Sequence, residues 1–157
     1  MKTHLLSFAC SAFLFCSQGV FAGQTDSVLL QTTTGGGLMS PEMFSRGIKI
    51  YTSGKVMGFN ENKRAEIETE LGTLTPSVIA NLQKEIATLP MGEKIEFPDT
   101  PMCYDAPTTT YEAKVAGETL NFAQISACRT GYIPNAYAAT QLKKILDGFE
   151  IMFNLNL

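Results

Sequence analysis

Histidine is nearly missing from this sequence: the single one is His4, at the very start of 157 residues. Cysteine is sparse, at positions 10, 16, 103 and 128 only. No run of lysine or arginine occurs anywhere, and the formal charge is −3. Past the first 22 residues no apolar stretch approaches the roughly 20 residues of a membrane-spanning helix. Each shortage excludes something. Without a basic patch, a nucleic-acid phosphate backbone is not an expected partner. Without a second long apolar run, no membrane span is expected.

The first residues explain where the scarce histidine goes. Lys2 is followed by an uncharged Leu- and Phe-rich stretch over residues 5–16, then by Val20, Phe21 and Ala22. A short basic start, an apolar middle and small residues at minus three and minus one form a secretory signal, cleaved after Ala22. Removing residues 1–22 of 157 leaves 135, the size of one ordinary domain with a real core. His4, Cys10, Cys16 and Lys2 leave with the signal, so the exported chain has a formal charge of about −4. It has no imidazole at all, and its expected location is the periplasm or the medium of a bacterial cell.

That loss bears on chemistry. Zinc sites draw on His or Cys, and a Ser or Cys nucleophile draws on a His base. Ser–Lys or paired-carboxylate catalysis stays open, with Lys49, Lys55 and many acids present, but no spacing singles out a pair. The expectation is a protein that is not an enzyme and holds no cofactor and no metal. Cys103 and Cys128 remain, and in an oxidising compartment they are expected to form a disulfide.

From residue 27 to 34, "SVLLQTTT" reads as a strand. "RGIKIYTSGKVMGFN" reads as a hairpin turning at Ser53 and Gly54. "RAEIETEL" alternates apolar and charged residues as a half-solvated strand does, although Ile67, Leu71 and Leu74 also fit a helical spacing. In "TPSVIANLQKEIATLP", Thr75 can cap a helix, Pro76 suits its first position, and Ile79, Leu82, Ile86 and Leu89 share one face. Pro90 and Gly92 stop it. "TTTYEAKV" and "ETLNFAQI" form a second hairpin about Ala116 and Gly117. Its open end brings positions 103 and 128 nearly opposite, and closing that loop is worth about 3 kcal/mol in the chain-entropy account. After Pro134, Asn135 can start a helix with Ala138, Leu142, Ile145, Phe149 and Met152 on one face. The tail "FNLNL" returns to alternation, as an extended end would.

Strands, helix, hairpin, helix is the order of an α+β domain. The expected architecture is an antiparallel sheet of five to six strands with two amphipathic helices packed on one face.

Three segments carry candidate function. "TTTGGGLMSPEMF" sets Gly35, Gly36 and Gly37 beside Leu38, Met39, Met43 and Phe44. It lacks the Gly-Lys-Ser/Thr that a phosphate loop needs. A flexible connection and a recognition loop both fit, the latter because glycine permits close backbone approach while methionine and phenylalanine offer adaptable apolar contacts. Tyr104, Asp105 and Tyr111 lie near the cysteine pair, where Asp105 two residues before a proline suits a turn better than an acid catalyst. Glu66, Glu68 and Glu70 form a same-face row, more consistent with solvation than with calcium.

The succession "TTTGGG", "GIKIYTSGKV", "AEIETELGTLTPSVIANLQKEIATL", a hairpin and a last helix resembles the plan of the emfourin-like proteins, small inhibitors of thermolysin-type metalloproteases. The resemblance spans most of the exported chain as a pattern and implies a protease-binding role, without assigning an inhibitory residue. The expected function is thus a secreted or periplasmic small binding protein, in its sharpest form a protease inhibitor, with residues 35–44 as contact surface and another protein as partner. The alternative is an accessory of the cell envelope that adds a strand to a partner through a sheet edge or the tail.

Overall fold

A computed structural model describes residues 26–36, 43–62, 65–99, 106–126, 129–134 and 136–155. The expected signal, residues 1–22, lies outside them. Seven strands and two helices follow in the order β1 (Val28–Gly35), β2 (Met43–Tyr51), β3 (Lys55–Asn62), β4 (Glu66–Thr73), α1 (Pro76–Ala87), β5 (Thr108–Val115), β6 (Glu118–Ser126), β7 (Arg129–Tyr132) and α2 (Tyr137–Leu155). The α+β class is as expected. The strand number is seven rather than five to six, because "RTGY" pairs with β6 through Ala123↔Tyr132 to Ser126↔Arg129. Four residues with no apolar alternation carry no strand signal of their own.

All neighbours are antiparallel in one sheet of order β4-β3-β2-β1-β5-β6-β7. Turn chemistry sets the hairpins. Gly54 takes φ 94° and donates to the Tyr51 carbonyl at 2.9 Å. Asp26 clamps that turn from outside, accepting from Ser53 N at 3.0 Å and Ser53 Oγ at 2.8 Å. Between β5 and β6, Ala116 and Gly117 both have positive φ, 50° and 88°, the primed geometry that matches strand twist.

One sheet face is covered by the helices. α1 buries Ile79, Leu82 and Ile86, as its sequence periodicity demands, and Leu89 continues the stripe. Each such side chain contributes about 1.5–3 kcal/mol of burial. Thr75 occupies the N-cap but makes no side-chain cap bond; its hydroxyl lies 3.0 Å from that of Ser77 instead. Pro76 alone prepares the first turn.

α2 departs from expectation in its rotation and its end. Ala138, Ala139, Leu142, Leu146 and Phe153 are the buried residues, whereas Ile145 and Met152 are exposed. The helix continues through Leu155, so the tail is not an extended strand over residues 153–155. Two grounds fix the rotation. Gly58 on β3 leaves a hollow into which the Phe153 ring fits, since a Cβ there would strike it. Polar side chains of α2 also bond to the sheet, as described below.

Candidate functional site

The expected contact loop is shorter than residues 35–44. Gly35 belongs to β1, opposite Ser45 and Thr108, and Met43 and Phe44 belong to the backbone of β2, where Met43 pairs with Asn62. The two central strands simply extend further than the glycines suggested. Gly36, just past β1, has φ 76° with open space where a side chain would stand. Gly37, Leu38 and Met39 lie outside the described residues, as do the side chains of Met43 and Phe44. So do Cys103, Tyr104, Asp105 and Cys128.

The glutamate row is on β4, and the structure ties it to lysine. Lys49 on β2 reaches across β3 to Glu66 at 2.5 Å and Glu68 at 2.9 Å, and its ammonium stands 4.7 Å from the Phe59 ring centre. Tyr51 donates its hydroxyl to Glu68 at 3.1 Å. Phe59 is almost wholly buried on this outer sheet face because its neighbour Gly47 has no side chain: the ring lies over the glycine and Lys49 closes the top. The hydrogen bond from Lys49 holds Glu68 below the usual carboxylate range, against the opposing effect of burial. Burial works to lower Lys49 itself, yet the bonds to Glu66 and Glu68 outweigh it and raise its pKa. Lys55 meets Glu70 at 3.9 Å, both well exposed. These lysines therefore brace a strand.

Among the described residues, that strand is the open edge of the sheet. Glu66 to Glu70 are exposed residue by residue, and Ile67 on the helix-bearing face is 58% exposed. The opposite edge differs. Glu96 bridges Tyr132 of β7 by two backbone bonds, 2.9 and 3.2 Å, and the Arg129 guanidinium lies 4.5 Å from the Phe97 ring centre. Gly131 makes this cover possible, since a Cβ there would meet Ile95 and Phe97. An open cleft of about 670 Å³ adjoins it, walled by Phe97, Tyr132, Pro134 and Tyr137.

A second polar group, unforeseen in the sequence, lies between α2 and the sheet. Tyr111 on β5 is buried and donates its hydroxyl to Asp147 Oδ1 at 2.8 Å; Lys143 holds Oδ2 at 2.6 Å and sits 4.9 Å from the Tyr111 ring centre. Burial, aided by Asp147, pushes the Tyr111 phenol far above its ordinary value. One turn on, burial raises the pKa of Glu150, although Arg46 on β2 draws it back. Thr34 and Thr109 share a 2.7 Å hydroxyl bond beside this seam. The i,i+4 spacing of Lys143 and Asp147 was its only sequence signal. Every strong partner here is another side chain of the fold, which marks it as a seam holding α2 down.

Among the described residues, no group of three or more His, Cys, Asp or Glu is arranged to hold a metal ion, and no helix is long and apolar enough to cross a membrane. Comparison with protein-family models and with curated proteins finds no match to the chain.

Proposed function

We propose that this is a small exported binding protein that takes an extended segment of another protein onto the free edge of β4. The observation that carries this is the contrast between the two sheet edges: β7 is covered by residues 95–97, whereas β4 offers five consecutive exposed residues. An uncovered edge offers unpaired N–H and C=O groups as a template for strand addition. The edge is also preorganised. Lys49 anchors it from β2 across β3, so less ordering entropy is lost on binding.

The test uses the mature protein as bait for periplasm or culture supernatant, with cross-links mapped by mass spectrometry. A partner cross-linked at β4 and lost with Ile67→Lys supports edge binding; Ile67 is exposed enough for that change to leave the fold intact. Capture unaffected by it, with cross-links elsewhere, overturns the proposal.

The β1–β2 connection supplies a second reading, closer to the resemblance with emfourin-like inhibitors. β1 and β2 lie mid-sheet and Gly36 ends the described stretch that holds β1, at φ 76°, so the segment that joins the two strands is the part offered to a protease cleft in this reading. Inhibition of a thermolysin-type protease that is abolished by Leu38→Ala with Met39→Ala, yet survives Ile67→Lys, favours the loop.

A further inference from the structure

We propose that the cleft beside β7 binds a neutral saccharide, one built of β-linked pyranose rings with equatorial hydroxyls. The cleft lies at the sheet edge opposite β4 and shares no residue with the strand-addition surface.

Two elements wall it. On β7, Thr130 pairs with Ile125 and Tyr132 with Ala123, so both side chains stand on the helix-bearing face, where Ala123 is buried. On α2, Tyr137 and Thr140 are three residues apart and share one face of the helix. Glu96 and Phe97 close the remaining side, and their place is fixed: Glu96 exchanges two backbone bonds with Tyr132, and the Arg129 guanidinium stacks on the Phe97 ring. The cleft is therefore formed before any ligand arrives, and its volume of about 670 Å³ falls within the roughly 300–1,000 Å³ of small-molecule sites.

The lining chemistry is of one kind. Besides aromatic and aliphatic carbon, the side chains present only oxygen: the hydroxyls of Thr130, Tyr132, Tyr137 and Thr140 and the carboxylate of Glu96. Among the described residues none of these five side chains has a hydrogen-bond partner. No basic residue lines the cleft; Lys94, Arg129 and Lys144 neighbour it in sequence only, and Arg129 is taken up by Phe97. The sequence neighbours outside the described residues, 100–105, 127, 128 and 135, add no lysine or arginine and one acid, Asp105.

A sugar ring matches this set. Its C–H groups form a flat apolar face that lies on the electron-rich face of an aromatic ring, and its hydroxyls run round the edge, each able to donate and accept. Tyr137, 76% exposed, offers such a ring. The Glu96 carboxylate accepts only, so its ligand must donate. A proline-rich strand, another occupant of aromatic grooves, has few N–H groups to give it. An organic cation would meet the rings in an open, solvated cleft, where cation–π attraction is weak. An anion would meet Glu96 with no base to hold it. Equatorial β-linkage keeps successive sugar rings flat, which suits tyrosines on two facing walls.

The experiment titrates mature protein with cellotetraose, with its α-linked isomer maltotetraose and with a capped tetraproline, following backbone amides by NMR. The expected result is saturable binding of cellotetraose that shifts the amides of Thr130, Tyr132, Tyr137 and Thr140, leaves those of β4 unmoved and ignores added salt. Maltotetraose binds more weakly. Tyr137→Ala weakens cellotetraose binding about tenfold, whereas Tyr137→Phe keeps most of it, as stacking on the ring requires. Glu96→Ala weakens it as well. Absence of saturable cellotetraose binding at millimolar concentration overturns the proposal. Binding that Tyr137→Ala leaves unchanged, or that shifts other amides, overturns the cleft as the site. Tetraproline moving these amides where cellotetraose does not assigns the cleft to a peptide and overturns the saccharide. Equal binding of maltotetraose overturns the preference for β-linkage.

Discussion

Gly58 of β3 lies directly beneath the ring of Phe153, the buried aromatic near the end of α2. The pair fixes where the last turns of the helix rest on the sheet. Phe153→Ala is expected to cost about 3–5 kcal/mol through lost burial and the cavity left behind. Gly58→Ala costs about 1–3 kcal/mol by overpacking. Combining Gly58→Ala with Phe153→Leu costs less than the sum of the single changes, because the smaller side chain gives the new methyl room. Urea unfolding of the wild type, Gly58→Ala, Phe153→Leu and the double variant measures this coupling.

Lys49 spans three strands, and its removal should be felt at β4 first. Lys49→Met is expected to cost about 1–2 kcal/mol, between an exposed ion pair and a buried charged hydrogen bond. Hydrogen exchange should accelerate at β4 more than at β1 or β5. The pH dependence has a definite sign. Glu68 is held below its ordinary pKa by Lys49, so its contribution is complete above the unfolded value and is lost as pH falls through the folded one. Wild-type protein should lose stability on acidification in that range. Lys49→Met should flatten the loss.

Glu150 runs the other way. Burial raises its pKa in the folded state, so the folded chain binds the proton more tightly than the unfolded one, and stability falls as pH rises from the ordinary carboxylate value through the raised one. Glu150→Gln removes a half-buried charge and should raise the melting temperature at neutral pH. Its advantage should shrink toward acid. Thermal melts across the mildly acidic range, wild type against variant, check the sign.

Tyr111 donates to a carboxylate from a fully buried position. Tyr111→Phe keeps the ring and deletes the donor, at an expected cost of about 1.5–3 kcal/mol, the range for hydrogen bonds to charged groups. In the Asp147→Asn background the same change should cost less. A double-mutant cycle by denaturant unfolding gives the coupling.

Much of the fold was legible before any coordinates. Gly54 and Gly117 marked the two expected hairpins because a positive φ favours glycine, and Ile79, Leu82, Ile86 and Leu89 marked the buried face of α1 because nothing polar competes on that stripe. The face of α2 was misjudged at Ile145 and Met152. Its sheet-facing side mixes Leu146 and Phe153 with Asp147 and Glu150, and hydrophobicity alone cannot assign a charged residue to the inside when its partners, Tyr111 and Arg46, stand on distant strands. The row Glu66, Glu68 and Glu70 was visible as a period of two. That Lys49 would brace it was not, because register, rather than sequence distance, brings the two together.

The amino-acid order by itself determined most of the local elements, β7 and the end of α2 excepted: which runs extend, where they turn and which stretch coils, since backbone preferences and side-chain period act over a few residues. Only the tertiary structure decided that β1 sits mid-sheet between β2 and β5, that β7 is covered by residues 95–97, and that β4 is left open among the described residues. Those outcomes depend on pairing among strands far apart in the chain. Edge and centre are properties of the assembled sheet, and no single strand's residues encode them alone.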